Sequence, residues 1–289
     1  MLKGFSHKVI QAGDVAIHLD VAGAGAPLLL LHGYPQTNSM WRKIATQLAE
    51  RFTVVATDLR GYGKSDKPNG GERHVNYSKR AMAADQVEVM RQLGFEAFQV
   101  VGHDRGARVA HRMALDHPKT VQRLAVLDIA PTDAMYALSD KRFATAYYHW
   151  YFLIQPRNLP ERLIGNDPEF FVRYTLESWS RVPNSFPEDA IAEYVTHFRD
   201  PKAIHSSCED YRASATIDLD HIAADADRKI QQPLLALWGS SGAVGTSFDV
   251  LSEWREKAVN VQGEGLPCGH FLSEEMPNET LASLLKFLK

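Results

Sequence analysis

One aspartate in this chain stands where its side chain could act as a nucleophile. Asp104 is flanked by Gly102 and Gly106 and follows the apolar run 98–101. A strand, a sharp turn and a helix, with a glycine on each side of the central residue, form the nucleophile elbow, in which the central side chain projects above the sheet. An aspartate that only caps the next helix is the alternative interpretation. The position of Asp104 at the end of an apolar strand favours the elbow.

A histidine and an acid are the partners that such a nucleophile requires. His270 follows the last predicted strand and precedes the C-terminal helix. In the chain order nucleophile, acid, histidine, this is the position of the base. The loop 238–249, after the penultimate strand, has no carboxylate near its start, whereas Asp128 lies at the tip of the preceding strand. We therefore predict that Asp128 orients His270, with Asp249 as the second choice.

The segment 28–35, with the sequence LLLLHGYP, predicts a further part of the site. An apolar strand followed by His32 and Gly33 is where this kind of site holds one half of an oxyanion hole. We expect the backbone N–H groups of Tyr34 and Arg105 to converge there and to stabilise the negative charge of a tetrahedral intermediate.

The type of reaction follows from the carboxylate. Asp104 is a poor nucleophile towards acyl carbon, but it can displace a leaving group from tetrahedral carbon, which produces an ester between enzyme and substrate. Water activated by His270, with Asp128 behind it, can then attack that ester. The predicted reaction is hydrolytic and needs no metal and no cofactor. Its possible substrates are haloalkanes, halo-acids and epoxides.

Two arginines beside the predicted nucleophile indicate an anionic substrate. Arg105 and Arg108 are three residues apart, so they can share one face of the helix that follows Asp104. Two guanidiniums at a helix N-terminus form a strong receptor for a carboxylate. A pair of surface arginines is the alternative, but unpaired cations beside a buried turn would be costly. A substrate with its carboxylate one carbon from the leaving group would place that carbon over Asp104.

Short apolar runs separated by helical segments predict the framework that holds these residues. Residues 15–20 alternate as a half-buried antiparallel strand does. The continuous runs are typical of strands buried on both faces of a parallel sheet, so the alternation with helices predicts a doubly wound α/β fold. The runs are Leu28–Leu31, Thr53–Ala56, Phe98–Val101, Leu124–Leu127, Leu234–Trp238 and Val259–Gln262, and the helical segments are Met40–Glu50, Ser78–Leu93, Ala107–His117 and Thr280–Leu288.

Residues 133–227 interrupt this alternation. They contain no strand-like run, are rich in aromatic residues and are broken by prolines. We predict a helical cap, or lid, inserted after the sixth strand and lying over the carboxyl edge of the sheet, where ligands bind in open α/β folds. Residues 1–132 and 228–289 would then form the core. A helical extension without a role in binding is the alternative.

Composition restricts the partners and the location of the protein. The chain has 289 residues and a net charge of −3, without a long run of either sign, so we expect neither nucleic acid nor a membrane as a partner. The N-terminal residues lack an apolar signal region. Cys208 and Cys268 do not have metal-ligand spacing, and two free thiols are typical of a reducing cytosol, with a single structural disulfide as the alternative. We therefore predict a cytoplasmic protein.

These residues belong to longer motifs that extend over nearly the whole chain. The motifs are HGYPQT, DLRGYGKSDKP, GHDRGARVAHRMALDHP, LDIAPT, YHWYF, CEDYRASATIDLDH, LWG and GHFLSEE. Together they resemble the fluoroacetate (haloacetate) dehalogenases, and the run 102–108 and the YHW segment are the specific ones. The resemblance implies an α/β-hydrolase fold with a mostly parallel eight-stranded sheet, hydrolysis of haloacetate to glycolate and halide, and a homodimer.

The resemblance also implies roles for individual residues. It assigns the nucleophile, acid and base to Asp104, Asp128 and His270, and the carboxylate clamp to Arg105 and Arg108. It further implies that His149, Trp150 and Tyr211 form a halide pocket contributed by the cap, and Trp179 could line the same cavity. These are neutral N–H and O–H donors, which suit a departing halide. The family usually has Phe where this chain has Tyr34, a difference that bears on substrate preference.

Two other functions fit parts of the pattern. An epoxide hydrolase uses the same nucleophile and needs acidic phenols in the cap, for which Tyr211 and Tyr147 or Tyr148 are available. That function leaves the two arginines without a role. A non-catalytic protein that binds small acids on a hydrolase scaffold is the second alternative, and the intact catalytic residues argue against it. Release of halide, as opposed to formation of a diol, separates these functions.

Overall fold

The computed structural model describes residues 2–289, and a single eight-stranded sheet runs through it. The strands are β1 (Ser6–Ala12), β2 (Val15–Ala22), β3 (Ala26–Leu31), β4 (Phe52–Thr57), β5 (Phe98–His103), β6 (Val121–Leu127), β7 (Leu234–Gly239) and β8 (Val261–Leu266). Their order across the sheet is β1-β2-β4-β3-β5-β6-β7-β8. The pairs β1/β2 and β2/β4 are antiparallel and the others are parallel. This mostly parallel sheet confirms the predicted fold.

Burial explains which strands the sequence predicted well. Every residue of β5 is buried, as are residues 28–31 of β3, so both appear in the sequence as unbroken apolar runs. In the edge strand β1, by contrast, only Ile10 and Ala12 are buried. An edge strand with little burial carries little apolar signal, and β1 was not predicted. For the same reason the other edge strand, β8, was predicted at 259–262 and begins two residues later.

The helices form three groups along the chain. The first group is α1 (Ala45–Ala49), α2 (Lys79–Gln92) and α3 (Arg105–Asp116). Between β6 and β7 lie α4 (Thr132–Ala137), α5 (Lys141–Ala146), α6 (His149–Phe152), α7 (Leu159–Asn166), α8 (Pro168–Trp179), α9 (Glu188–Phe198), α10 (Pro201–Ser214) and α11 (Ile217–Ala224). The last group is α12 (Ala243–Ser247), α13 (Val250–Lys257), α14 (Leu272–Glu275) and α15 (Pro277–Phe287).

Several helices between β6 and β7 begin at prolines. Pro168 and Pro201 are the first residues of α8 and α10, and Pro160 lies in the first turn of α7. Proline suits this position because the N–H that it lacks would have no partner inside the helix, and because its φ is already helical. Prolines that look like breaks in the sequence therefore mark the starts of these helices.

The predicted helix Met40–Glu50 is divided in the structure. A short 3₁₀ helix covers Asn38–Trp41, and α1 begins only after Ile44, whose φ of −127° is not helical. Met40, Trp41 and Ile44 are fully buried. Packing of these apolar side chains against the sheet therefore takes precedence over a continuous helix.

Two further predictions concern the whole chain. Cys208 and Cys268 are free and buried, as predicted for two thiols. Across residues 2–289, no helix has both the length and the apolar character needed to cross a lipid bilayer.

Candidate active site

Parallel strand register places the predicted nucleophile and acid side by side. His103 at the end of β5 is opposite Leu127 at the end of β6, so Asp104 and Asp128 are the next residues on adjacent strands. The backbone N–H of Asp104 donates to the carbonyl of Leu127 at 3.1 Å, and that of Asp128 donates to the carbonyl of Leu237 on β7 at 2.8 Å. Both aspartates therefore leave the sheet together at its carboxyl edge.

The backbone of Asp104 is that of a sharp turn from strand to helix. Its φ of 46° and ψ of −113° lie in a region that costs a residue other than glycine roughly 1–3 kcal/mol. Two glycines provide the space for this turn. A Cβ on Gly33 would lie 2.5 Å from the Cβ of Asp104, and one on Gly106 would lie 2.4 Å from the carbonyl oxygen of His32. The strand, the turn and the start of α3 thus have the shape of the elbow.

His270 lies between the two aspartates. Its Nδ1 is 2.6 Å from Oδ2 of Asp128, and its Nε2 is 3.9 Å from Oδ2 of Asp104. A carboxylate can only accept a hydrogen bond, so Nδ1 carries the proton and Nε2 is the basic nitrogen. In the described part of the chain Nε2 is buried and has no hydrogen-bond partner. It can therefore take a proton from a molecule placed beside Asp104.

Further contacts hold Asp128 in place. The backbone N–H of Gly239, the last residue of β7, donates to Oδ1 of Asp128 at 2.8 Å. The hydroxyl of Tyr147 lies 3.0 Å from Nδ1 of His270 and donates to Oδ2 of Asp128 at 3.4 Å. Asp249 is exposed and accepts a backbone N–H at 3.1 Å at the start of α13. The second choice for the acid therefore lies outside this group.

Nearby charges shift the pKa values of the predicted nucleophile and base. Burial acts to raise the pKa of Asp104, but the charges of His270 and Arg105 hold it below its ordinary value. Burial acts to lower the pKa of His270, but the hydrogen bond and charge of Asp128 raise it above its ordinary value. The directions of these two pKa shifts favour the ionised form of Asp104 and favour proton binding by His270.

One of the two predicted oxyanion donors contacts the carboxylate of Asp104. The backbone N–H of Tyr34 donates to Oδ1 of Asp104 at 2.9 Å. Arg105 is the first residue of α3, and within residues 2–289 its backbone N–H makes no hydrogen bond to this carboxylate. Oδ1 is held by Tyr34 while Oδ2 faces His270, so Oδ2 is the oxygen available for attack.

Each of the two arginines is buried and has one nitrogen without a partner. Arg108 donates to neutral acceptors, including the carbonyl of Ala130 at 3.1 Å and the hydroxyl of Thr132 at 2.8 Å. Arg105 is instead bound by the carboxylate of Asp210, through Nε and Nη2. Nη1 of Arg105 and Nε of Arg108 have no partner among the residues described. The pair can thus offer an anion one nitrogen each, not two complete guanidinium forks.

Three ring donors from the helices between β6 and β7 lie close together. The ring centre of Tyr211 is 5.4 Å from that of His149 and 6.3 Å from that of Trp150. In the described structure, Nδ1 of His149, Nε1 of Trp150 and the hydroxyl of Tyr211 are buried without a hydrogen-bond partner. Burial lowers the pKa of His149 well below its ordinary value, so the imidazole is neutral. This cluster can therefore donate to an anion without carrying charge itself.

The ring donors are in direct contact with the arginines. Cζ of Arg105 lies 4.1 Å from the ring centre of Tyr211, and Cζ of Arg108 lies 4.7 Å from that of Trp150. These cation–π distances place the guanidiniums and the rings in one cluster of side chains. A ligand with two neighbouring electronegative groups could contact both sets of donors at once.

Trp179 lies between this cluster and a cavity that reaches His270. Its ring centre is 4.2 Å from that of His149 and 5.3 Å from that of His270. Trp179, Tyr147 and Arg181 line a cavity of about 200 Å³ that also touches His270. Trp179 therefore borders the site, as the sequence analysis considered.

Two contacts of the site were not predicted from the sequence. Asp210, which directly precedes Tyr211, is the carboxylate bound to the buried Arg105. The hydroxyl of Tyr147, predicted only as a possible acid for epoxides, lies against His270 and Asp128. Neither contact can be found from spacing, because the partners come from segments far apart in the chain.

A possible metal-ligand group lies elsewhere in the described chain. His7, His18 and Asp20 each bring one ligand atom within 4.8 Å of the others. They lie on β1 and β2, which β4 and β3 separate from the strand that carries Asp104. Asp20 also pairs with His7 and accepts the N–H of Leu2, so local hydrogen bonds account for its buried carboxylate.

The sheet order and the turn at Asp104 define the class of protein. The family model for the alpha/beta hydrolase fold matches residues 26–277. The chain belongs to the α/β-hydrolase family.

Two relatives and one solved structure narrow this assignment. Over 289 residues the chain is 48% identical to a fluoroacetate dehalogenase of Burkholderia sp, covering 100% of this chain and 95% of that protein. It is 36% identical to a soluble epoxide hydrolase of Corynebacterium sp., covering 98% and 96%. An α/β-hydrolase-fold protein of Nostoc sp PCC 7120 superposes with a TM-score of 0.99 at 58% identity, covering 100% and 99%. Within the α/β-hydrolases, the chain thus belongs to the fluoroacetate dehalogenase family.

Proposed function

We propose that this protein hydrolyses a small 2-haloacid, converting haloacetate to glycolate and halide through an ester on Asp104. One observation carries the proposal. The buried carboxylate of Asp104, whose pKa is held below its ordinary value, has Arg105 and Arg108 near it, and these contact the ring donors. Two guanidinium nitrogens and three ring donors of this cluster are buried without a partner in the described chain. A 2-haloacid holds its carboxylate and its halogen on neighbouring carbons, which is the arrangement that such a cluster of donors can bind.

The first step is substitution at the carbon that bears the halogen. Oδ2 of Asp104 supplies the electron pair for the new C–O bond, and the C–halogen pair leaves with the halide. Arg105 and Arg108 hold the substrate carboxylate so that the carbon lies over Asp104. The donors of the halide pocket stabilise the negative charge that develops on the halogen.

The second step returns the enzyme to its starting state. Nε2 of His270 takes a proton from water, and the hydroxide formed attacks the carboxyl carbon of the ester. The backbone N–H of Tyr34, already on Oδ1 of Asp104, stabilises the oxyanion, and that of Arg105 is the second donor proposed. Collapse of the intermediate breaks the bond between the acyl carbon and the ester oxygen. That oxygen takes the proton from His270, so glycolate leaves as the alcohol, and the new carboxyl group of Asp104 releases its proton to solvent.

We propose that the helices between β6 and β7 act as the cap of this site. Residues 133–227 would form the cap and residues 1–132 and 228–289 the core. The proposal is supported by the origin of the ring donors, since His149, Trp150 and Tyr211 come from these helices while the nucleophile and base come from the sheet edge. Closure by the cap would also exclude bulk water from the reacting groups.

The proposed function is tested by supplying wild-type protein with chloroacetate and with styrene oxide. We expect halide release from chloroacetate and no diol from the epoxide. Similarity to an epoxide hydrolase makes diol formation the main alternative. The unpartnered nitrogens of Arg105 and Arg108 in the described chain argue against it, because a neutral epoxide gives the two guanidiniums no role. Diol formation without halide release would replace the dehalogenase proposal.

The halide pocket makes a prediction that depends on the leaving group. We expect Tyr211→Phe to lower kcat for fluoroacetate roughly 100-fold, but kcat for bromoacetate by at most about 10-fold. Fluoride is the poorer leaving group and the stronger hydrogen-bond acceptor, so it depends more on the lost O–H donor. A halide electrode measures the rate for each substrate, and the quantity compared between variants is the ratio of kcat for fluoroacetate to kcat for bromoacetate, called the fluoride-to-bromide ratio.

Tyr151→Phe is the matched control for this ratio. It removes a hydroxyl from the same helical region, where Tyr151 donates to Ser139. We expect the control to leave the fluoride-to-bromide ratio unchanged. If Tyr211→Phe slows both substrates equally, its hydroxyl does not act on the halide.

The homodimer and the cytoplasmic location implied by the sequence stay predictions. They add nothing to the chemistry proposed here, since every proposed catalytic and binding residue comes from a single chain.

A further inference from the structure

Asp210 is a buried acid that binds the guanidinium of Arg105 from the side. Its Oδ2 accepts from Nε at 2.9 Å and its Oδ1 from Nη2 at 2.7 Å. Nη2 also donates to the hydroxyl of Ser214 at 2.6 Å. These bonds occupy two of the three nitrogens of Arg105 and fix the plane of the guanidinium. Nη1 is the nitrogen left over, and it is buried without a partner in the described chain.

The remaining partners of Asp210 keep it charged. Nζ of Lys79 lies within hydrogen-bond distance of Oδ1, and the hydroxyl of Tyr62 donates to Oδ2 at 2.7 Å. Burial acts to raise the pKa of Asp210, but the charges of Arg105 and Lys79 hold it well below its ordinary value. Asp218, 3.7 Å from Lys79, provides the second negative charge. Two buried cations are therefore balanced by two buried carboxylates.

Arg108 has no hydrogen bond or ion pair to the carboxylates of Asp210 and Asp218 among the residues described. Its described partners are uncharged, and the contact of its guanidinium with the ring of Trp150 is also with a neutral group. Arg105 is hydrogen-bonded to a carboxylate, whereas Arg108 has no carboxylate bound to it in the described chain and has only the nearby charge of Asp104. A cation that is 3% exposed and lacks a paired carboxylate is costly unless an anion compensates it.

We propose that Asp210 is a positioning residue that gives the two arginines different roles in binding the substrate carboxylate. It fixes Arg105 as an oriented donor through Nη1, and it leaves Arg108 to supply the net positive charge that binds the substrate carboxylate. This inference rests on the proposed function, and it concerns the same site. This arrangement keeps Asp104 reactive. Two uncompensated cations beside Asp104 would stabilise its carboxylate and make it a weaker nucleophile towards the substrate carbon.

Asp210 also connects the cap to the elbow. It lies on α10 next to Tyr211, whose ring is under Arg105, while Arg105 is the first residue of α3. The carboxylate clamp is therefore complete only when α10 is seated on the core. Removing the carboxylate should affect binding of the substrate carboxylate more than binding of the halide.

The test measures binding of two unreactive probes, acetate for the clamp and bromide for the halide pocket, by NMR titration. We use Asp210→Glu, which keeps the charge but displaces it by one methylene, and Asp210→Asn combined with Lys79→Met, which keeps the net charge. We expect both variants to bind acetate about 30-fold more weakly, as expected for a displaced charge-assisted donor, and to bind bromide within about 3-fold of wild type.

Two reference variants define the scale of these effects. Arg108→Leu should abolish measurable acetate binding. Asp220→Asn removes an exposed acid that pairs with Arg73, so it should change neither probe. Unchanged acetate affinity in both Asp210 variants overturns the inference. Equal weakening of acetate and bromide also overturns it, because a general loss of structure does not discriminate between the probes.

The binding experiment does not depend on catalytic turnover, because acetate and bromide are unreactive. If wild-type protein releases no halide from haloacetates, the proposed function fails while the acetate titration still reports on Asp210. If wild type releases halide but the Asp210 variants bind acetate normally, the function stands and the positioning role is wrong.

Discussion

We expect Asp104→Asn to lower halide release from chloroacetate by roughly 10⁴-fold or more, which is the scale of loss when a covalent nucleophile is removed. The amide has nearly the same shape as the carboxylate, but it lacks the negative charge needed to displace a halide. Asp104→Ala should show the same loss, and it guards against conversion of the asparagine back to aspartate during preparation. A halide electrode measures both variants.

A single turnover in heavy-oxygen water identifies the attacked atom. With enzyme in excess over substrate, water attacks the acyl carbon of the ester, so one labelled oxygen should remain in the carboxylate of Asp104. Mass spectrometry of the peptide that contains residue 104 detects it. If the label appears in glycolate and never in the protein, water attacks the substrate directly and Asp104 is not the nucleophile.

His270→Asn should separate the two steps. The variant keeps the nucleophile, so each protein molecule should release about one halide and then stop, because the ester cannot be hydrolysed without the base. We expect steady turnover to fall by roughly 10³-fold. The intact protein should gain the mass of one carboxymethyl group, located on Asp104.

His117→Asn is the control, since His117 lies at the opposite end of α3 from the nucleophile. It should turn over normally and carry no adduct. Normal turnover by His270→Asn would show that another group activates the water, and absence of both burst and adduct would show that His270 is needed before the ester forms.

The central strands and the elbow could be predicted because each is determined by residues that are adjacent in the sequence. β5 is buried throughout and therefore appears as an apolar run, and the glycines beside Asp104 are needed by the turn itself. The edge strand β1 is largely exposed and gives no comparable signal. Prolines such as Pro168 were visible in the sequence, but whether a proline ends one helix or begins the next depends on how the neighbouring segments pack.

The amino-acid sequence by itself determined the type of chemistry to expect, because a carboxylate in a strained turn is specified by adjacent residues. Tertiary structure alone decided which atoms are free to act. Strand register places Asp128 against His270, whereas Asp249 lies at the start of α13. The pairing of Arg105 with Asp210 joins residues 105 positions apart and leaves one guanidinium nitrogen for a ligand. Such pairings depend on how α10 packs against α3, and no local pattern encodes that packing.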